Sequence, residues 1–380
     1  MWWVLAISVL MLGYTYAGYP VLIGWLARCR GRPVRKGSFE GGVSVLIAAH
    51  NESGTLPAKV ANLLELAQSE PIREIWIGLD GCTDGTKAEV ESLLRTAALP
   101  RIELLEFAQA RGKAAVLNDL MGRAGQPIFV MMDARQRVEA GAISKLLESF
   151  ADPQVGVVSG ALVYESVAGG AQKGAESYWS YEKNIRRWES QFWAVPGATG
   201  ALYAIRKDLC RPIPENTLVD DVLIPMRAVL AGFRCLFEPT ARVFDLPSAR
   251  FDQEGARKRR TLAGIWQLMA LEPRIYSILA NPIWFQWISH KFLRLLTPFF
   301  VLAGFLALGM AAWNGPWGAK WLFGAALSAF FGSLGAFLAG KRLSSRGLGL
   351  LGAFFGVNWA LLQAAGDAWS GRFEARWKKR

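Results

Sequence analysis

Residues 1–27 contain no charged side chain, and Arg28, Arg30, Arg32, Arg35 and Lys36 follow directly. A helix of that length rises about 40 Å, more than the roughly 30 Å hydrocarbon layer of a bilayer. A basic run after an apolar span marks the cytoplasmic side, so the N-terminus is expected outside and residue 41 onward inside. A secretory signal fits less well, because no basic segment precedes the stretch, it is too long, and no clean small-x-small site follows. Pro20 falls within it and is expected to kink the span or to end its regular part.

Hydrophobic residues make up 52% of the 380, but unevenly. They concentrate at 1–27 and again from about 295 to 366, while 41–274 reads as an ordinary globular sequence. The formal net charge is +12, and its cations cluster beside the apolar segments, with Lys341, Arg342 and Arg346 between two later ones. That placement suits anionic lipid headgroups and a lipid-bilayer partner. No nucleic-acid signature accompanies it, so nucleic acid is not expected as a partner. Cys29, Cys82, Cys210 and Cys235 are scattered, and His50 and His290 are the only histidines. This excludes a CxxC-type zinc site and argues for reduced thiols rather than a disulfide framework.

From residue 43 the pattern alternates. Strands are predicted at 43–48, 74–79, 102–106, 128–132 and 155–163. Helices are predicted from Ser53, as cap, to about 68, and at 87–96, 113–124 and 140–150. Such alternation predicts an α/β domain with a mostly parallel, Rossmann-like sheet. Ligands then bind beyond the carboxyl ends of the strands. The expected organisation is a transmembrane helix at 1–27, a basic linker at 28–40, the α/β domain at 41–250 and interfacial amphipathic segments at 251–292. Transmembrane helices follow at 293–370 and a basic tail at 371–380. Within these, 275–290 is expected to lie along the interface, and 295–313, 321–340 and 348–366 to span. Three later spans would place the C-terminus outside, whereas Arg372, Arg376, Lys378, Lys379 and Arg380 prefer the inside. The last segment carries Asn358, Gln363 and Asp367, which suits a re-entrant or protein-packed helix.

Polar groups stand at the strand ends. The first strand ends in His50-Asn51-Glu52 and the second in Asp80-Gly81-Cys82-Thr83-Asp84-Gly85-Thr86. The third helix opens with Arg111-Gly112-Lys113 and continues to Asn118, and the fourth strand ends in Asp133-Ala134-Arg135. Any one of these could be a turn or a helix cap. Four in order, at one sheet edge, form a binding face: carboxylates for a base and ribose, helix-start amides and Lys113 for a diphosphate.

This order resembles glycosyltransferase family 2, the inverting group with a GT-A fold. It is most similar to the membrane-bound members, the relatives of cellulose, hyaluronan and poly-N-acetylglucosamine synthases. The resemblance covers about residues 43 to 267. It implies a UDP-sugar donor held by Asn51, Glu52, Asp80, Lys113 and Asp133, with Asp80 at the base and Asp133 near the ribose or diphosphate. The family's Asp-x-Asp motif binds a divalent cation, Mg²⁺ or Mn²⁺. Here Arg135 stands at the second carboxylate, and a guanidinium cannot ligate metal. Either Asp133 holds the metal together with the diphosphate, or Arg135 partly replaces it.

Downstream, the 195–206 segment resembles the family's acceptor side and carries Thr199 and Gly200. Asp220-Asp221 resembles the segment whose final Asp is the general base, which assigns the base to Asp221, with Asp220 replacing Glu. Adjacent residues on regular helix or strand face different ways, so one of the pair is expected to be structural. Residues 257–267 resemble the Gln-x-x-Arg-Trp motif, with Arg260 retained for the diphosphate and Thr261 where the acceptor-stacking Trp would stand. Trp266 is the candidate substitute, and a basic helix lying on lipid is the alternative.

The resemblance therefore implies transfer of a hexose or N-acetylhexosamine from a UDP-sugar to a growing exopolysaccharide, at the cytoplasmic face of the inner (plasma) membrane by a multi-pass protein. One alternative is addition of a single sugar to a lipid-linked acceptor. Another, of a different class, is a non-catalytic nucleotide-binding scaffold of a synthase complex.

Overall fold

The structure, a computed structural model, describes residues 1–94, 100–164, 172–245, 251–339 and 346–372. The strands are β1 (Val43–Ala49), β2 (Ile72–Asp80), β3 (Arg101–Phe107), β4 (Ile128–Met132), β5 (Arg137–Val138), β6 (Val155–Tyr164), β7 (Tyr203–Arg206) and β8 (Arg234–Asp245). Among the described residues they form one eight-stranded sheet in the order β3-β2-β1-β4-β7-β6-β8-β5. β1 pairs parallel with β2 and β4, β2 with β3, and β6 with β8. β7 runs antiparallel to both β4 and β6. The predicted mostly parallel sheet is present, with the short β5 antiparallel to β8 at one edge and a reversed β7 that brings the 197–202 loop to the same edge as the β1, β2 and β4 ends.

The helices of this domain are α3 (Thr55–Leu66), α4 (Thr86–Leu94), α5 (Lys113–Arg123), α6 (Ala142–Leu147), α7 (Gln172–Phe192), α8 (Asp220–Leu230) and α9 (Phe251–Leu271), preceded by α1 (Trp2–Gly13) and α2 (Tyr19–Arg30). Successive residues of β1 face opposite layers, as strand geometry requires. Val43, Val45 and Ile47 join the layer with α3 and α6, whereas Leu46 and Ala48 join the layer with α5 and α8. A strand buried on both faces explains its unbroken Val-Ser-Val-Leu-Ile-Ala-Ala run. Ser53 does not cap α3. Gly54 occupies that position, and Ser53 Oγ donates to Glu89 Oε1 at 2.6 Å.

Helix Trp2–Arg30 has 29 residues and is apolar enough to cross a membrane, as is Trp317–Leu338 with 22. Pro20 neither ends nor breaks the first. A π turn at Tyr14–Gly18 precedes it. Proline leaves the carbonyl four residues back without its usual amide partner, and that carbonyl, Tyr16 O, accepts Tyr181 Oη–H from α7 at 2.8 Å.

After α9 come α10 (Trp284–Gln286), α11 (Leu293–Leu295), α12 (Thr297–Asn314), α13 (Trp317–Ala339) and α14 (Arg346–Trp369). Trp284–Leu295 and Thr297–Trp313 pass the same length and apolarity test only together, and they bend by 58° at their junction. Gly304 of α12 meets Ser8 of α1 so closely that an added Cβ would lie 3.2 Å from Ser8 Cβ. Small residues at a helix crossing allow that approach. Outward side chains such as Trp3 and Trp321 are 82% and 77% exposed.

The 275–290 stretch is partly packed into the protein: Ile275, Ile283, Trp287 and His290 are buried, His290 bonds Glu189 and Glu182 of α7, and Trp287 stacks edge-on against Tyr276, while Ile278 and Leu279 are exposed. The expected 348–366 span lies within one continuous helix, α14. It packs beside α9, and Asp367 accepts Arg259 Nε–H and Nη2–H at 2.5 Å each. Lys341, Arg342, residues 373–380 and the end of the predicted 87–96 helix lie outside the described residues.

Candidate active site

The β2 end is built around Asp80. Gly81 holds a φ of +61°, and a Cβ there would meet Ala110 N at 2.4 Å, so only glycine lets the loop pass. That close pass brings the Arg111 and Gly112 amides onto Asp80 Oδ1 and Oδ2, both at 2.7 Å. Asp80 is 0% exposed. The carboxylate read as a contact for the base therefore fixes the loop that opens α5. Asn51, with φ +51°, accepts Thr83 N–H at 2.8 Å through Oδ1. The Glu52 amide donates to Thr86 Oγ1 at 3.0 Å, and its Oε2 accepts Thr55 Oγ1–H at 2.9 Å. Asp84 Oδ1 caps α4 by accepting Thr86 N–H at 3.0 Å. Asn118 clamps the 213 segment, bonding Ile213 O at 2.8 Å and Ile213 N–H at 2.9 Å.

Lys113, at the start of α5, joins the two halves of the site. Its Nζ donates to Asp133 Oδ1 at 2.9 Å and lies 3.1 Å from Asp220 Oδ2. Burial works against the ammonium, yet Asp133, Asp220 and Asp221 outweigh it and hold Lys113 above the usual lysine value. Burial likewise opposes charge on Asp133, but Lys113, with Arg135 and Lys59, keeps it below the usual carboxylate range. Arg135 itself is exposed.

Asp220 and Asp221 both reach this cluster. They are the first two residues of α8, behind Val219 at the cap position, so the helix N-terminus adds positive potential. Adjacent residues on a helix point about 100° apart, and the site wraps the helix start rather than lying on one side of it. Asp220 turns to Lys113, and Asp221 Oδ2 accepts Gly200 N–H at 3.0 Å. Burial and the repulsion of Asp220 and Asp133, offset in part by Lys113 and the Gly200 amide, push Asp221 up to about 6. A Cβ on Gly200 would stand 3.4 Å from both Asp133 Oδ2 and Asp221 Oδ2. Thr199 donates its amide to Ser159 Oγ at 3.1 Å.

α9 docks behind this pair. An added Cβ on Gly264 would lie 2.6 Å from Val219 Cγ1. Buried Gln267 accepts Leu218 N–H at 3.0 Å and donates to Asn216 O at 2.8 Å, which fixes the approach to Asp220. Arg260 lies one turn before Gly264, on the same helix face, and its Nε is buried with no hydrogen-bond partner. Thr261 is exposed and its Oγ1 bonds Arg257 O. Trp266, expected as an acceptor platform, packs edge-on against Phe292 at 5.8 Å as part of the core.

Two residues escaped the sequence reading. Lys59 sits on the buried stripe of α3 between Leu56 and Leu63, 3% exposed, with Nζ 3.9 Å from Met132 Sδ. Burial lowers it to about 8, against the pull of Asp133 and Asp245. A lysine in register with Leu56 and Leu63 was the available signal. Arg186 of α7 donates to Ser159 Oγ at 2.8 Å and to Gly197 O at 3.4 Å, and so braces the Thr199–Gly200 loop. Its signal lay in a 172–192 stretch to which no element was assigned.

Among the described residues no group of three or more His, Cys, Asp and Glu side chains could hold a metal ion. Asp133 already engages Lys113. Mg²⁺ and Mn²⁺ favour oxygen octahedra, which one carboxylate does not supply. A divalent cation here would therefore rely on Asp133 together with oxygens from a bound diphosphate.

A half-parallel sheet with acidic strand ends, a reversed strand and a carboxylate pair at a helix start has the architecture of the GT-A fold. The mannosyltransferase PcManGT from Pyrobaculum calidifontis, solved with GDP-Man and Mn²⁺, superposes with a TM-score of 0.72 at 22% identity, covering 97% of this chain and 99% of that one. Residues 44–213 match the family model described as Glycosyl transferase family 2. Poly-beta-1,6-N-acetyl-D-glucosamine synthase of Staphylococcus aureus (strain MSSA476) is 26% identical over 233 residues, 60% of this chain and 52% of that protein. Beta-monoglucosyldiacylglycerol synthase of Nostoc sp. is 27% identical over 214 residues, 53% of this chain and 44% of that protein. The chain thus spans about half the length of the curated relatives it matches.

Proposed function

We propose that the protein is an inverting glycosyltransferase that moves a sugar from a UDP-sugar to a hydroxyl acceptor at the cytoplasmic face of the inner membrane, extending a polysaccharide. The observation that carries this reading is the division of labour in the carboxylate pair. Asp220 neutralises Lys113, while Asp221 is left with one amide donor and a raised proton affinity. A carboxylate so placed takes the acceptor's proton as the hydroxyl oxygen attacks the anomeric carbon. The bond from that carbon to the diphosphate oxygen breaks, the configuration inverts, and the electron pair leaves on the nucleotide. Lys113, and Arg260 from α9, supply the positive charge that meets it. No step is assigned to a metal ion. The exposed Arg135 stands where a second carboxylate would otherwise raise cation affinity.

A second reading, transfer of one sugar to a lipid-linked acceptor, is favoured by Trp266 packing against Phe292 and by Thr261 at the expected stacking position. The names of the two curated relatives, a polymer synthase and a glycolipid synthase, match the two readings.

The full chain in nanodiscs, offered UDP-GlcNAc, UDP-glucose and GDP-mannose, tests both. A UDP-sugar should release UDP. A ladder of products supports polymer extension and one discrete glycolipid supports single addition. Release only from GDP-mannose would overturn the donor assignment, and no release from any donor would favour a nucleotide-binding scaffold.

A further inference from the structure

Where α2 leaves the first apolar helix, a cavity of about 380 Å³ opens between Arg30, Arg32, Phe192, Trp193 and Pro282. None of these residues belongs to the active site. Its floor is rigid. Arg234, fully buried, donates to the carbonyls of Trp193, Pro33, Arg32 and Ser190 at 2.9, 3.3, 3.1 and 3.1 Å. It thereby ties the exit of α2 to the end of α7. The Arg32 amide donates to Gln191 O at 2.8 Å across the same junction. Two guanidinium groups lie against the Trp193 ring, Arg32 at 4.5 Å and Arg234 at 5.4 Å from its centroid. Held so, Arg32 is presented with little freedom left to lose on binding.

Arg30 is the last residue of the helix read as a membrane span, so the cavity lies at headgroup depth. Just before Pro282, Ile278 and Leu279 are 66% and 96% exposed, an apolar tip beside a cationic hollow. Arg32 over the Trp193 ring, Arg30 on the same cavity wall and aliphatic side chains alongside match a phosphodiester carrying acyl chains.

We propose that this cavity binds the headgroup of an anionic phospholipid, with Arg30 and Arg32 on the phosphate and the Ile278–Leu279 tip among the acyl chains. The proposal rests on the membrane reading above, so its test scores the two separately. Sodium carbonate extraction of native membranes first reports whether the full chain is embedded. The chain is then purified from vesicles of phosphatidylcholine and phosphatidylglycerol, and lipid retained per chain is read by native mass spectrometry. Arg30→Gln with Arg32→Gln should cut retained phosphatidylglycerol by about 30-fold, the effect of two cations at an anionic surface. Arg28→Gln, two residues before Arg30 and outside the cavity lining, should leave retention near wild type, and inorganic phosphate should not displace the lipid. Both cavity arginines are exposed, so the fold does not depend on them. Equal retention by the double variant overturns the site while leaving the membrane reading intact. An equal loss in Arg28→Gln also overturns it, by reducing the effect to general surface charge, as does displacement by inorganic phosphate. Release of the chain by carbonate overturns both readings.

Discussion

Gly200 donates its amide proton to Asp221 Oδ2 at 3.0 Å, and the space a side chain would take at Gly200 lies 3.4 Å from both that oxygen and Asp133 Oδ2. The two carboxylates therefore share one small volume, over which a sugar can settle against bare backbone.

Gly200→Ala should consequently act on turnover rather than on folding. The amide remains, and the methyl group makes ordinary contacts. It occupies the shared volume and displaces reacting atoms by about an ångström, which costs on the order of 100-fold in kcat. Thermal melting should stay within about 1 °C of wild type, since surface-like changes cost under about 0.5 kcal/mol. Unchanged kcat would remove Gly200 from the sugar site.

Asp221→Asn should lower kcat by about 10²–10⁴-fold, the usual worth of a positioned base. The base works only when ionised, so wild-type kcat should fall as pH drops through about 6. Asp220→Asn removes the repulsion that raises Asp221 while Lys113 stays, so the acidic limb should move to lower pH. A limb that moves upward, or does not move, would contradict the assigned roles.

Lys113→Met leaves Asp133 and Asp220 facing each other without their shared cation. Breaking a buried pair on one side costs about 3–5 kcal/mol. Lys113→Met with Asp220→Asn should recover much of that stability in denaturant melts without recovering donor binding. Recovery of both would make Lys113 a structural residue alone.

Arg135→Asp restores a second carboxylate two residues from Asp133. It should make activity steeply dependent on Mn²⁺, whereas wild type should retain a measurable fraction of its activity in EDTA. Complete loss in EDTA for wild type, with no change in the Mn²⁺ titration of the variant, would show that Arg135 does not weaken the cation site.

Gln267→Ala deletes two buried hydrogen bonds to the backbone before α8. It should cost about 1–3 kcal/mol, the penalty for unsatisfied buried groups. It should also lower kcat although no atom of Gln267 touches the carboxylate pair. Normal kcat with lowered stability would confine its role to folding.

Much of the site was readable because short-range rules governed it. Strand ends, Gly81 and the helix-start Lys113 are local features, and the sheet delivers them to one edge. What escaped depended on contacts far apart in sequence. That Asp80 also holds the Arg111 and Gly112 amides, 31 and 32 residues on, is one such contact. Asp220 and Asp221 were expected to divide between site and scaffold, an inference sound for the middle of a helix but not for its first turn. The Trp266 ring answers to Phe292, and the 275–290 stretch to glutamates of α7, partners that no local pattern announces.

Tyr19 of α2 donates to Glu189 Oε1 at 2.5 Å, and His290 bonds the same oxygen at 2.8 Å; all three residues are buried. The anchor is therefore not a detachable tether. Cutting the chain after Arg30 would strip a core carboxylate of a donor and uncover the flank of α7, the helix that also braces the Thr199–Gly200 loop. The first helix and the domain that follows share a core through Glu189 and fold as one unit across that boundary.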